Sequence, residues 1–118
     1  MRYFSFAIAD SMLPATCMVA KNTMKPDSSY FKAFFEAEVV SAVNPSHKAT
    51  LDAAKARYGI DIPIPEKAPQ VTLGLRDELL VMSVRGLPRL DATRHEYTEA
   101  EIASATFVFS HYIVTVVS

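Results

Sequence analysis

Hydrophobic positions along the chain change their spacing several times, and each spacing predicts an element. Residues 2–9 are apolar almost without a break, the pattern of a strand covered on both faces. Asp10-Ser11 ends that run, and Met12-Leu13-Pro14 turns the chain. Residues 16–21 read as a second short strand, and 22–29, with Lys25-Pro26-Asp27-Ser28, as a loop. From Tyr30 to about Val43, Phe31, Phe34, Phe35, Val39 and Ala42 recur at helical spacing. A second helix follows over 45–58. Asn44 suits its N-cap and Pro45 its first position, Leu51, Ala54 and Tyr58 give a buried stripe, and Gly59 supplies a left-handed stop.

Beyond Gly59 the pattern turns extended. Ile60-Asp61-Ile62-Pro63-Ile64-Pro65 is broken by proline and suits a connection or a sheet edge. Residues 70–75 and 79–85 alternate apolar and polar about Arg76-Asp77-Glu78, which predicts a hairpin. A loop over 86–97 carries Arg89, Arg94 and His95. Thr98 and Glu101 have the spacing of a capping box that starts a short helix. Residues 106–117, rich in Phe, Val, Ile and Thr, form the last strand. Strands and helices interleave, so the expected fold class is α/β: a single domain over 1–118, with a mixed sheet of about five strands flanked by helices.

Composition narrows the function classes. The chain has 118 residues, half of them hydrophobic, enough for one real core. No apolar run reaches the ~18 residues of a membrane span. The apolar start stops at Asp10 and lacks the layout of a signal peptide, so a cytoplasmic protein is expected. Twelve basic and thirteen acidic side chains leave a net charge of −1. That balance argues against a long nucleic-acid partner, which needs a basic face, but not against a small anion held by a few arginines. With one cysteine and three histidines scattered without ligand spacing, no metal and no cofactor are expected. Cys17, in an apolar run, reads as a packed and inert thiol. Three glycines cannot build a phosphate-binding glycine loop.

Four residues carry the candidate chemistry. His47 falls third in the first turn of the 45–58 helix, where backbone N–H groups lack intrahelical partners and the helix dipole favours a phosphate. A histidine there can protonate a departing oxygen; it can equally be an exposed residue without a task. Arg85 and Arg89, with Arg94, cluster around the end of the 79–85 strand and match a phosphate clamp or plain surface charge. Ser11 follows the first strand, beyond a carboxyl end where α/β proteins place ligand contacts. His111, inside the last strand, reads as packed or edge-exposed rather than functional.

Three segments together resemble the viral anti-CRISPR ring nucleases, a small family shared by archaeal viruses and bacteriophages. Ala7-Ile8-Ala9-Asp10-Ser11-Met12-Leu13 is similar to its opening Asn-Ala-Phe-Ser motif with a following Met-Leu. Ser46-His47-Lys48-Ala49-Thr50, continued by Gly59-Ile60-Asp61-Ile62-Pro63, is similar to its Gly-His-Glu-Ala-Thr helix and Gly-Ile-x-Ile-Pro exit. Arg89-Leu90 and Thr98-Glu99-Ala100-Glu101 are similar to its late Arg-Leu and Thr-x-Glu-Glu. The resemblance implies a homodimer that binds cyclic tetra-adenylate at its interface and cuts it without metal. His47 would be the general acid, Arg89 a phosphate clamp and Ser11 a ligand contact. Ile8 and Asp10 depart from the motif, replacing its Asn and its aromatic residue. Those changes keep open a different nucleotide, a protein that sequesters the ligand without cutting, or one that inhibits a host defence protein through its surface.

Overall fold

A computed structural model describes residues 1–67, 70–90, 93–94 and 96–117. Five strands, β1 (Arg2–Ser5), β2 (Cys17–Met24), β3 (Val39–Ser41), β4 (Glu78–Arg85) and β5 (Thr106–Val117), form one mixed sheet in the order β2-β5-β4-β1-β3. β1 runs parallel to both neighbours, while β5 is antiparallel to β4 and β2. Three helices, α1 (Ser29–Glu36), α2 (Lys48–Tyr58) and α3 (Glu99–Ser104), connect them. The mixed α/β sheet expected from the sequence is therefore present.

All three helices cover one face. Phe31 and Phe34 of α1 and Leu51, Ala53 and Ala54 of α2 are buried against Phe4, Leu80, Met82, Phe107 and Phe109, with Ile102 of α3 packed beside them. Phe109 anchors this layer, with edge-on contacts to Phe31 at 4.8 Å and Tyr58 at 5.4 Å between ring centroids. The other face has no helix. Leu79, Val81 and Val114 are covered there by Val71 and Leu73 and by half-buried Ile8, Met12 and Leu13.

Several sequence expectations change for reasons that lie outside each segment. The helix expected from Tyr30 to about Val43 stops at Glu36, because Val39 and Val40 instead pair with Arg2 and Tyr3 as the edge strand β3. The loop expected over 22–29 begins only after Met24, since Asn22, Thr23 and Met24 pair with His111, Ser110 and Phe109. The expected hairpin is absent. β4 already has β1 on one edge and β5 on the other, so residues 70–75 find no edge to join. Their alternation still reports burial correctly: Val71 and Leu73 point inward and the Leu73 N–H donates to Met12 O at 2.7 Å. β1 ends at Ser5 rather than at residue 9, where the chain leaves the sheet.

Local signals hold where the partners are local. Thr98 Oγ1 accepts from the Glu101 N–H and the Thr98 N–H donates to Glu101 Oε1, completing the capping box. Gly59 closes α2 in the left-handed region at φ +73°, with its N–H on Lys55 O at 2.8 Å. The Arg57 guanidinium donates to Ile102 O and Ala105 O, tying the end of α2 to the carbonyl end of α3.

A polar network binds the amino ends of β1 and β4 to α1 and β5. Arg2 Nε donates to Glu78 Oε2 at 3.1 Å, Arg2 Nη1 donates to the C-terminal carbonyls of α1 at Ala33 and Phe34, and His111 Nε2 lies 2.8 Å from Glu78 Oε1. Burial pushes the Glu78 carboxyl up, but the bonds from His111 and Arg2 and their charges outweigh it and hold it below the usual carboxylate value.

Two outcomes are expected. Gly59→Ala has open space for its Cβ but must take a left-handed backbone, and urea unfolding should show a loss of about 1 kcal/mol. Because the folded Glu78 pKa is depressed, its stabilisation is complete above the unfolded value of about 4.3 and disappears as pH falls through the folded one. Unfolding midpoints measured from pH 6 down to about pH 3 should therefore fall less steeply in Glu78→Gln than in the wild type.

Candidate functional site at the carboxyl end of the parallel strands

Because β3, β1 and β4 run in the same direction, their carboxyl ends lie along one edge of the sheet. The segments that leave this edge carry Ser11, His47 and Arg89, and Arg85 is the last residue of β4. Residues 6–16 follow β1, 42–47 follow β3, and 86–98 follow β4.

His47 stands where the chain enters α2. Asn44 Oδ1 caps the Ser46 N–H at 3.0 Å, and Pro45–His47 form a 3-10 turn before α2 begins at Lys48. This geometry corrects the expected first turn. The His47 N–H donates to Asn44 O at 2.9 Å and the Lys48 N–H to Pro45 O, so three successive backbone donors are already satisfied. An anion here would meet the helix dipole and the side chains rather than a row of free N–H groups. The imidazole itself is exposed and leans on Phe6, with ring centroids 5.2 Å apart and planes tilted by 37°. Phe6 is the first residue past β1 and packs into the helix-side core, so it links the sheet edge to the histidine. Sequence reading missed that role. An aromatic residue one step beyond a strand end was its only signal.

Ser11 is exposed in a 3-10 turn, Asp10–Met12, whose Met12 packs on the helix-free face. Ile8 is half-buried in that same layer, so this side chain packs, and Asp10 is exposed beside Ser11. Arg85 closes β4, which runs four residues beyond its last pairing with β1. Val84 packs on the helix side, so strand alternation turns exposed Arg85 to the other face. Gly86, at φ +88°, then bends the chain sharply. Exposed Arg89 follows, and its neighbour Leu90 lines a cleft of about 400 Å³ with Pro45, Ser46 and Lys48. Arg89 thus stands on the His47 side of the edge, and Arg85 and Ser11 on the helix-free side. Among the described residues, no hydrogen bond or ring contact joins His47 to Ser11, Arg85 or Arg89.

The remaining sequence candidates have structural tasks or fall elsewhere. Arg94 is a fork on the Glu101 carboxylate, with Nη1 on Oε2 at 3.0 Å and Nη2 on Oε1, and its Nε donates to Glu96 O. Cys17 is half-buried at the start of β2 against the helix-free layer. His95 lies outside the described residues. His111 is packed, the first of the two placements expected for it, and its Glu78 partner was the part that sequence reading missed. Its place two residues beyond the inward Phe107 and Phe109 was the available signal. Lys48, next to His47, is held by Asp52 at 2.6 Å, which raises its pKa through the hydrogen bond and the opposite charge. Among the described residues, no group of three or more His, Cys, Asp or Glu side chains is placed to hold a metal ion, and no helix is long and apolar enough to cross a membrane.

Comparison with known proteins leaves this geometry without a family label. No family model matches the chain, and no curated protein matches it. Among solved structures, the fold is similar to that of B116 of Sulfolobus turreted icosahedral virus, with a TM-score of 0.67 over 93% of this chain and 96% of that one. Sequence identity is 14%, so the likeness is one of fold. The five-stranded sheet and its helices are an architecture this chain shares with a Sulfolobus virus protein.

Proposed function

We propose that this is a viral anti-defence protein that binds and cuts a cyclic oligoadenylate, the cyclic tetra-adenylate ring, in the host cytoplasm. The observation that carries the reading is His47: an exposed imidazole at the carboxyl edge of the sheet, steadied by Phe6, at the positive end of a helix. The likeness of fold to a virus protein supports it, as does the match of the Ser46-His47-Lys48-Ala49-Thr50 segment to the ring nucleases.

The chemistry needs an acid, a clamp and the substrate's own hydroxyl. A ribose 2′-oxygen attacks the adjacent phosphorus and loses its proton to solvent. The P–O5′ bond breaks, leaving a 2′,3′-cyclic phosphate on one side and a 5′-hydroxyl on the other. His47, as imidazolium, gives its proton to the departing 5′-oxygen. Arg89 and Arg85 hold phosphates from the two sides of the sheet edge, and Ser11 contacts the ring from the helix-free side. Two copies of the chain about a twofold axis would offer these groups to equivalent phosphates of a symmetric ring, so the working form is a homodimer.

Two features favour a second reading, binding without cutting. The backbone donors at the start of α2 have partners of their own, and the exposed Asp10 carboxylate sits beside Ser11. Incubation with labelled cyclic tetra-adenylate in the presence of EDTA, read by chromatography, separates the readings. Cutting should continue in EDTA, and His47→Ala should slow it by about 10²–10⁴-fold while binding stays within a few-fold. Unaltered ring that nonetheless co-elutes with the protein would establish sequestration instead. A ring neither bound nor cut at high protein concentration sinks both and leaves inhibition of a host defence protein as the alternative. Arg89→Ala should weaken binding about tenfold, the loss of one charge-assisted contact of ~1.5 kcal/mol, in a filter-binding titration. Asp10→Asn, which removes a like charge, should tighten it.

A further inference from the structure

The amino end of the same parallel strands holds a second group of titratable side chains, which the proposed ring cleavage does not use. His111 is 8% exposed and sits in the row Phe4–Leu80–His111–Asn22 on the helix side of the sheet. Over it opens a cavity of about 700 Å³ between α1 and the edge strand β2, within the size range of small-molecule sites. Its polar lining comes from His111, Glu78, Arg2, Asn22 and Lys25, and its apolar wall from Met24, Ala33 and Phe34.

The hydrogen bonds fix what this floor can offer. Glu78 takes Arg2 on one oxygen and His111 on the other, and it is held ionised by both. An ionised carboxylate only accepts, so His111 Nε2 carries the proton of that bond. Nδ1 has no hydrogen-bond partner among the described residues and is not sealed from solvent, so it opens on the cavity that His111 lines, and in the neutral form of the ring it is a bare lone pair. Charged and titratable groups face His111 from each surrounding element: Glu78 of β4, Arg2 of β1, Lys25 of the β2–α1 turn and the Tyr30 phenol of α1. Arg2 and Glu78 cancel. Lys25 has no carboxylate partner among the described residues, so the cavity keeps one positive charge in surplus.

We propose that this cavity binds a small carboxylate with an apolar body, seated between His111 Nδ1 and Lys25 Nζ, and that the neutral form of the His111 ring takes up one proton as it binds. An anion cannot rest on a bare lone pair, so the ring must become imidazolium, with Glu78 on one nitrogen and the ligand on the other. A dianionic phosphate would face the Glu78 carboxylate across a single ring, with no use for the Phe34 and Met24 wall.

The test uses the full chain with benzoate as probe, and inorganic phosphate and benzyl alcohol as controls, followed by ¹H–¹⁵N spectra of the histidine rings and by calorimetry in two buffers of different ionisation enthalpy. Benzoate should bind saturably at millimolar concentration, shift His111 and leave His47 unmoved. Proton uptake should approach one above the His111 pKa, and affinity should there fall about tenfold per pH unit. His111→Gln and Lys25→Ala should each lower affinity at least fivefold, whereas His47→Ala should leave it unchanged, so this site stands or falls apart from the nuclease reading. Should His111→Gln fail to fold, proton uptake by the wild type and the exposed Lys25→Ala still decide. The proposal is overturned by no saturable binding up to about 10 mM, by binding without proton uptake, or by phosphate or benzyl alcohol binding as tightly as benzoate.

Discussion

Parallel pairing of β1 with both β3 and β4 is the constraint on which the rest of this fold depends. A parallel neighbour cannot be reached by a tight turn, so the chain must cross the sheet between strands, and here it does so with helices. α2 carries the chain from β3 over to β4 and buries Leu51, Ala53 and Ala54 on the way. Phe4, at the centre of β1, is fully buried beneath this layer. The same pairing gathers three carboxyl ends on one edge and three amino ends on the other. Both polar centres of the molecule follow from that sorting.

The helix-free face shows what happens when strand edges run out. β5 joins β4 antiparallel and then takes β2, so among the described residues the open edges are those of β2 and β3. The 70–75 segment is as strand-like in sequence as β4, yet it lies across the sheet as coil and still buries Val71 and Leu73. It is held at separate points: Leu73 on Met12, Arg76 on Val114, and a tight turn in which the Gly74 N–H donates to Asp77 Oδ2. Burial alone does not make a strand. An apolar segment also needs a free row of backbone partners.

That difference separates what was legible in the sequence from what was not. The capping box at Thr98, the Asn44-Pro45 entry and the Gly59 exit are satisfied by residues within a few positions, and all are found. β5 was legible from its β-branched and aromatic run. The division of 30–43 into α1 and β3, and the hairpin that did not form, depend on which distant strand has an open edge, and no window of sequence contains that. The candidate site divides in the same way. His47's exposure and position at a helix start were readable, whereas the 3-10 turn that occupies its donors, and the Phe6 ring beneath it, come from the way β1 leaves the sheet.

The two ends of the parallel strands are built on opposite principles, and that contrast bears on function. At the amino end, Arg2, Glu78 and His111 answer one another while capping α1. At the carboxyl end, Ser11, His47, Arg85 and Arg89 are all exposed, and among the described residues the ring contact of His47 with Phe6 is the one side-chain interaction found on them. Two arginines and a histidine along a single edge repel one another and contribute little to folding. Stability alone gives no reason to gather them there. A polyanion lying across the edge would add counter-charge beyond the single Asp10 carboxylate, and would draw together side chains that stand apart on the two faces of the sheet.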